Sequence, residues 1–250
     1  MHVQVYPDSP SLGRAAAKKA AAILNEAIHE RGQARLVLST GMSQFETLSA
    51  LIDEPVDWTK VDLFHLDEYI GLPVSHPASF RRYLLDRFIG KVQLRSVHLV
   101  DGEGDVAANM AQLKAAIREA PIDLGLIGIG ENAHIAFNDP PADFVVDEPY
   151  IVVNLDENCK KQQVGEGWFP DTAHVPSQAI SMSVRQILRC ARIISCVPHA
   201  VKATAIRKTL EQDVNDLVPA TILKTHQDVS LFLDEASASG LTPDLLACFS

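Results

Sequence analysis

The sequence is poor in the features that tie a chain to a membrane, a nucleic acid or an oxidising compartment. It holds four cysteines, Cys159, Cys190, Cys196 and Cys248, with no CxxC spacing, so neither a disulfide framework nor a cysteine metal knuckle is readable and reduced thiols are expected. Basic residues are scarce, 22 Lys and Arg against 32 Asp and Glu, a net charge of −10. That balance argues against a surface for nucleic acid or anionic lipid. No uninterrupted apolar run approaches the ~18 residues of a membrane span. The opening "MHVQVYPDSP" lacks the basic-then-apolar pattern of a secretory signal. A cytoplasmic protein without membrane or nucleic-acid partners is the expectation.

What is present is ordinary globular composition: 250 residues, 47% hydrophobic and 22% charged, enough for one large domain over residues 1–250. Helical and strand-like periods alternate. "SPSLGRAAAKKAAAILNEAIHER" reads as a helix with Ser9 or Ser11 as cap, followed by the strand "ARLVLS" and the helix "SQFETLSALI". "VDLFHL", "SVHLV", "IDLGLIGIG", "YIVVNL", "RIISCVP" and "VSLFL" read as further strands. "SFRRYLLDRFI", "VAANMAQLKAAIREA", "VRQILRCA" and "AVKATAIRKTLEQ" read as helices. Strands without polar alternation, linked through helices, predict an α/β fold with a mostly parallel sheet covered by helices on both faces. Residues 138–180, rich in Gly, Pro and polar side chains, read as one long irregular lid or flap.

Ligands of such sheets bind beyond the carboxyl ends of the strands, and three polar clusters fall there. "STGMSQFETL" ends a strand in Ser39, Thr40, Gly41, Met42 and Ser43. Gly41 permits close backbone approach, and the following helix start suits a phosphate, although a plain strand-to-helix turn explains the same residues. "HLDEY" puts Asp67 and Glu68 at the end of a buried strand, where a carboxylate can serve as general base or open a turn. "GIGENAHIAFNDPP" places Asn132, His134 and Asp139 after a strand exit eased by Gly128 and Gly130. A carboxylate beside a histidine orients the ring and raises its basicity, whereas a lone histidine is more often structural. Lys202 opens a helix, against the dipole, which an anion would compensate; a solvated lysine is the plainer alternative. No GxSxG elbow or HExxH is present. A metal set drawn from His65, Asp67, His76 and His134 is a weak option.

"LDEYIGL", "HPASF", "GIGENAHIAFNDP", "STGMS" and the "ISMSVRQIL" to "VKA" section together resemble the glucosamine-6-phosphate deaminase (isomerase) family over about residues 35–235. The resemblance implies a Rossmann-like three-layer α/β sandwich. It also implies conversion of glucosamine 6-phosphate to fructose 6-phosphate and ammonia without metal or redox cofactor. Asp67 then matches the general base that moves a proton between C2 and C1. His134 matches the residue that assists ring opening, supported by Asn132 and Asp139. Thr40, Gly41, Met42, Ser43 and Lys202 match the phosphate-binding groups. The chain departs from the pattern in carrying Asp139 where Glu is usual and Ala133 where Gly is usual. Its phosphate turn lacks a proline, and the flap arginine has no match, Lys160 or Lys161 being the substitutes to hand. The partner implied is a small amino-sugar phosphate, and since members range from monomers to hexamers a homo-oligomer is compatible. Two alternatives are a 6-phosphogluconolactonase, whose histidine motif continues into Ser-Leu-Phe-Pro rather than "IAFND", and a sugar-phosphate sensor without catalysis.

Overall fold

A computed structural model of the chain describes residues 1–249, so the last residue of the predicted 1–250 domain, Ser250, lies outside the described residues. The elements run β1 (His2–Tyr6), α1 (Ser9–Arg31), β2 (Ala34–Leu38), α2 (Phe45–Ile52), β3 (Val61–His65), β4 (Asp67–Tyr69), α3 (Phe80–Arg87), β5 (Ser96–His98) and α4 (Val106–Arg118). They continue with β6 (Leu124–Leu126), β7 (Tyr150–Asn154), α5 (Glu157–Gly165), β8 (Gln178–Met182), α6 (Val184–Ile187), β9 (Arg192–Val197), α7 (Ala203–Glu211), β10 (Val229–Asp234) and α8 (Pro243–Ala247).

Seven strands form one sheet in the order β1-β10-β9-β6-β2-β3-β5, and every pairing in it is parallel. The pleat sends alternate residues to opposite faces. In β2, Leu36 and Leu38 pack on the α1 and α2 side with Leu12, Leu24, Leu48 and Leu51. Val37 packs on the other side with Leu113 and Ile117 of α4 and Ile206 of α7. Both faces of β2 and β3 are therefore buried, which is why these strands carry apolar residues on both faces instead of alternating. The predicted sandwich of a parallel sheet between helical layers is the observed one.

Local chemistry corrects some details. The cap of α1 is Asp8 rather than Ser9 or Ser11; its extended backbone lets a carboxylate oxygen accept the N–H of Ser11 at 2.7 Å, and an anion suits that dipole end better than a hydroxyl. β1 is a short, half-exposed edge strand that the apolar pattern did not mark. "YIVVNL" is a strand but not of the parallel sheet: β4, β8 and β7 make a separate antiparallel sheet. The segment 138–180 is likewise not one irregular flap. It contains β7, the start of β8 and the nine-residue helix α5, capped by Asp156 accepting from Cys159 N–H at 2.6 Å. The antiparallel sheet and α5 pack their own small core around Tyr69, Phe137, Phe169 and Cys159. Among the described residues no helix is long and apolar enough to cross a membrane.

Candidate active site

The four middle strands of the large sheet, β9, β6, β2 and β3 in spatial order, all end at one cavity of about 670 Å³. The chain order reverses between β2 and β6, the switch point at which such sheets open a crevice. Thr40, Gly41, Met42 and Ser43 line the cavity from the end of β2, and Asp67 from the end of β3. Asn132 and His134 enter from the loop after β6, and Lys202 from the turn after β9. Eight of the nine predicted side chains thus share the cavity. The ninth, Asp139, does not line it and stands behind His134.

The two adjacent acids of "LDEY" have separate duties. Glu68 is fully buried and accepts from the hydroxyl of Ser79 and the amides of Tyr69, Phe80 and Arg81, with Arg81 Nε at 3.4 Å. It clamps the start of α3 to β4. Asp67, pointing to the other face of β4, reaches the cavity, and no group among the described residues donates to its carboxylate. Burial, reinforced by the neighbouring Glu68 charge, pushes its pKa well above the ordinary carboxylate value. A partnerless carboxyl with raised basicity is what a general base needs.

His134 is held by packing. A Cβ on Gly130 would lie 2.3 Å from Cε1 and Nε2 of the ring, so the glycine is a seat for the imidazole. The tight strand exit is made without a positive φ at Gly128 or Gly130: Gly130 opens a turn in which its carbonyl accepts the Ala133 N–H at 3.0 Å. Ala133 does (φ 68), as does Ala136 (φ 50), which gives the usual glycine before the histidine a conformational reason. Asn132 braces the loop: its Oδ1 accepts the N–H of His134 at 3.1 Å and its Nδ2 donates to Asp139 Oδ1 at 3.0 Å. Asp139 Oδ1 lies 3.0 Å from His134 Nδ1, yet that nitrogen has no aligned hydrogen bond. Burial raises the Asp139 pKa, but His134, Asn132 and Cys159 together pull it below the ordinary value. Asn138 anchors the loop to β8 by donating to the carbonyls of Ile135 and Met182 and to Ser181 Oγ.

On the opposite wall Gly41 adopts φ 102, and its carbonyl accepts the Tyr83 hydroxyl at 3.0 Å. The amides of Thr40 to Ser43 find no acceptor among the described residues. Gln44 joins the ends of β2 and β9 by donating to the Cys196 carbonyl at 3.1 Å. Lys202 is buried, pairs with no carboxylate among the described residues, and has a pKa lowered by burial. A buried ammonium without a counter-ion is poised for an anion. Of the two flap lysines, Lys161 lines the cavity while Lys160 pairs with Glu157 at 2.9 Å and does not. The weak metal option fails on geometry. His65 is buried away from the cavity with a pKa lowered to about 3 by burial, and His76 stacks on Phe169. Among the described residues no three His, Cys, Asp or Glu gather as ligands.

Sequence reasoning missed Glu131, His199, Asn158 and Gln162 of α5, and Glu166 just after it. Glu166 is steered by Gln162 Nε2 and Trp168 Nε1, at 2.8 and 3.0 Å. The string "KKQQVGEGW" carries no periodic signal that would have singled these out.

Residues 7–232 match the family of glucosamine-6-phosphate isomerases and 6-phosphogluconolactonases. The chain belongs to this family. Among its relatives is a glucosamine-6-phosphate deaminase of Staphylococcus epidermidis (strain ATCC 12228 / FDA PCI 1200), 36% identical over 229 residues, covering 88% of this chain and 90% of the relative. One of Thermoanaerobacter sp. (strain X514) is 33% identical over 235 residues, covering 91% of each. A solved monomeric glucosamine-6-phosphate deaminase superposes with a TM-score of 0.87 at 29% identity, over 96% of this chain and 100% of that one. A 6-phosphogluconolactonase from Shewanella baltica OS155 shares the fold, with a TM-score of 0.77 at 19% identity over 94% and 97% of the two chains.

Proposed function

We propose that this family member is an amino-sugar-phosphate isomerase and deaminase that turns glucosamine 6-phosphate and water into fructose 6-phosphate and ammonia. The single observation that carries the reading is one cavity lined by Asp67, His134 and Lys202 from different strand ends. The deaminase relatives that align over most of the chain support it.

In this reading Lys202 and the free amides of Thr40 to Ser43 hold the phosphate, and α5 is the flap. That anchorage sets C1 and C2 against Asp67, an orientation effect. His134 gives a proton to the ring oxygen as the pyranose opens and takes up the one that the C1 hydroxyl releases. Asp67 takes the proton from C2 and returns it to C1, while O1 gains the proton that the amino nitrogen gives up, leaving a hydroxyl at C1 and an imine at C2. Water adds to that carbon and ammonia departs, so the carboxyl ends in its starting state. The raised pKa of Asp67 brings its proton affinity closer to the task. Asp139 and Asn132 orient His134 from behind. We place the enzyme in the cytoplasm, acting on a small anionic substrate.

The test is ammonia release and fructose 6-phosphate formation by purified protein over a panel of hexosamine 6-phosphates, with 6-phosphogluconolactone as a further arm. Turnover of glucosamine 6-phosphate is expected. Lactone hydrolysis outpacing deamination, or no turnover of any amino sugar phosphate, would overturn the proposal.

A further inference from the structure

Three non-glycine residues have positive φ among those described, Ala133, Ala136 and His199. The first two belong to the His134 loop. His199 stands alone at the end of β9, at φ 81 and ψ 142, close to the region that only glycine populates freely. The strain is held by a clamp. The His199 N–H donates to both carboxylate oxygens of Asp234, at 3.1 and 3.0 Å. Asp234 is itself buried and accepts the Ser237 N–H at 2.7 Å. The His199 carbonyl accepts the Lys202 N–H at 3.0 Å.

Glycine would satisfy this clamp without strain, so the imidazole needs another reason to be there. Its ring nitrogens make no hydrogen bond within the described residues, and it lines the cavity together with Lys202 and the Thr40 to Ser43 turn. Among the described residues no arginine lines that cavity. Glu131 and Glu166 do, and both repel a phosphate dianion. Among the described residues the basic side chains facing it are Lys202, Lys161 on α5, His134 and His199, and His134 is already assigned to the sugar ring. An imidazole keeps at least one N–H donor in every protonation state.

We propose that His199 is a phosphate-contact residue, donating to a phosphate oxygen of the substrate beside Lys202. The inference rests on the sugar-phosphate reading of the cavity. Backbone strain at this position is then the cost of placing a donor where the chain geometry favours glycine.

Two substitutions in the full-length protein separate the effects: His199→Ala removes the ring and keeps the strain, while His199→Gly removes both. Both should raise KM for glucosamine 6-phosphate about 10- to 100-fold, the scale of a hydrogen bond to a charged group, with kcat nearly unchanged. Inorganic phosphate, as competitive inhibitor and as thermal stabiliser, should weaken by the same factor. The glycine variant should melt about 2–4 °C above the alanine variant. Unchanged KM and phosphate affinity in both variants would overturn the assignment, as would a fall confined to kcat. If wild-type protein deaminates no hexosamine phosphate yet binds inorganic phosphate through His199, the contact stands and the deaminase reading falls.

Discussion

Replacing Asp67 by Asn leaves the side chain's shape intact and removes its ability to accept a proton. The carboxyl is 5% exposed, lacks a protein donor and sits beside Glu68, so the enzyme keeps it at an energetic disadvantage for the sake of basicity. A general base is worth about 10²–10⁴ in rate, roughly 2.7–5.4 kcal/mol of barrier; kcat should fall by that factor with KM unchanged. Stability should move the opposite way. Because burial raises the folded pKa, the folded protein retains a proton that the unfolded chain releases above about pH 3.9. Wild-type stability therefore declines as pH rises from there to the folded pKa. Asn has no such titration. The variant should gain on wild type through that window and melt higher at neutral pH, by roughly 0.5–2 kcal/mol or about 1–8 °C. Ammonia-release kinetics and thermal melts between about pH 5 and 8 read both effects. A variant within tenfold of wild-type kcat, or one that melts lower at every pH, would refute the assignment of residue 67 as a partnerless base.

Three further substitutions probe the surroundings. Gly130→Ala places a methyl 2.3 Å from the His134 ring; the ring must swing out, and kcat should drop about 10²-fold with circular dichroism unchanged. Asp139→Asn should lower kcat by a similar ~10². Since the folded pKa of Asp139 is depressed, its stabilisation is complete above about pH 3.9 and lost as pH falls through the folded value. Acid melts of wild type and variant should converge there. Glu68→Gln disturbs the buried clamp on Arg81 and the α3 amides and should cost about 3–5 kcal/mol, read as a lower melting temperature. It should also shift the acid limb of the kcat/KM profile downward, because the Glu68 charge no longer raises Asp67.

The sequence by itself determined the layering. Runs such as "ARLVL" and "VDLFH" carry apolar residues on both faces and are separated by helical periods, which suits strands of a parallel sheet covered twice. Polar clusters at their ends were legible for the same reason: a buried strand that stops in Ser-Thr-Gly or Asp-Glu has reached solvent or a cleft. Those are local properties of composition and period. The order of strands in the sheet is not local, and it alone brings the ends of β2, β3, β6 and β9 side by side.

Tertiary contacts also decided which neighbour does what. Asp67 and Glu68 look equivalent in the string; the pleat turns one into the cavity and the other onto Arg81 and Ser79. Gly130 reads as a turn residue, which it is, and only the packing shows that it also seats the His134 ring. The helix α5 hides in a polar, Gly- and Pro-containing segment because its core is completed by a residue far along the chain, Tyr69. His199 shows its strain only when Asp234, 35 residues on, fixes its backbone. Periodicity encodes what each segment buries, whereas a site depends on distances between segments, and the packed sheet sets those.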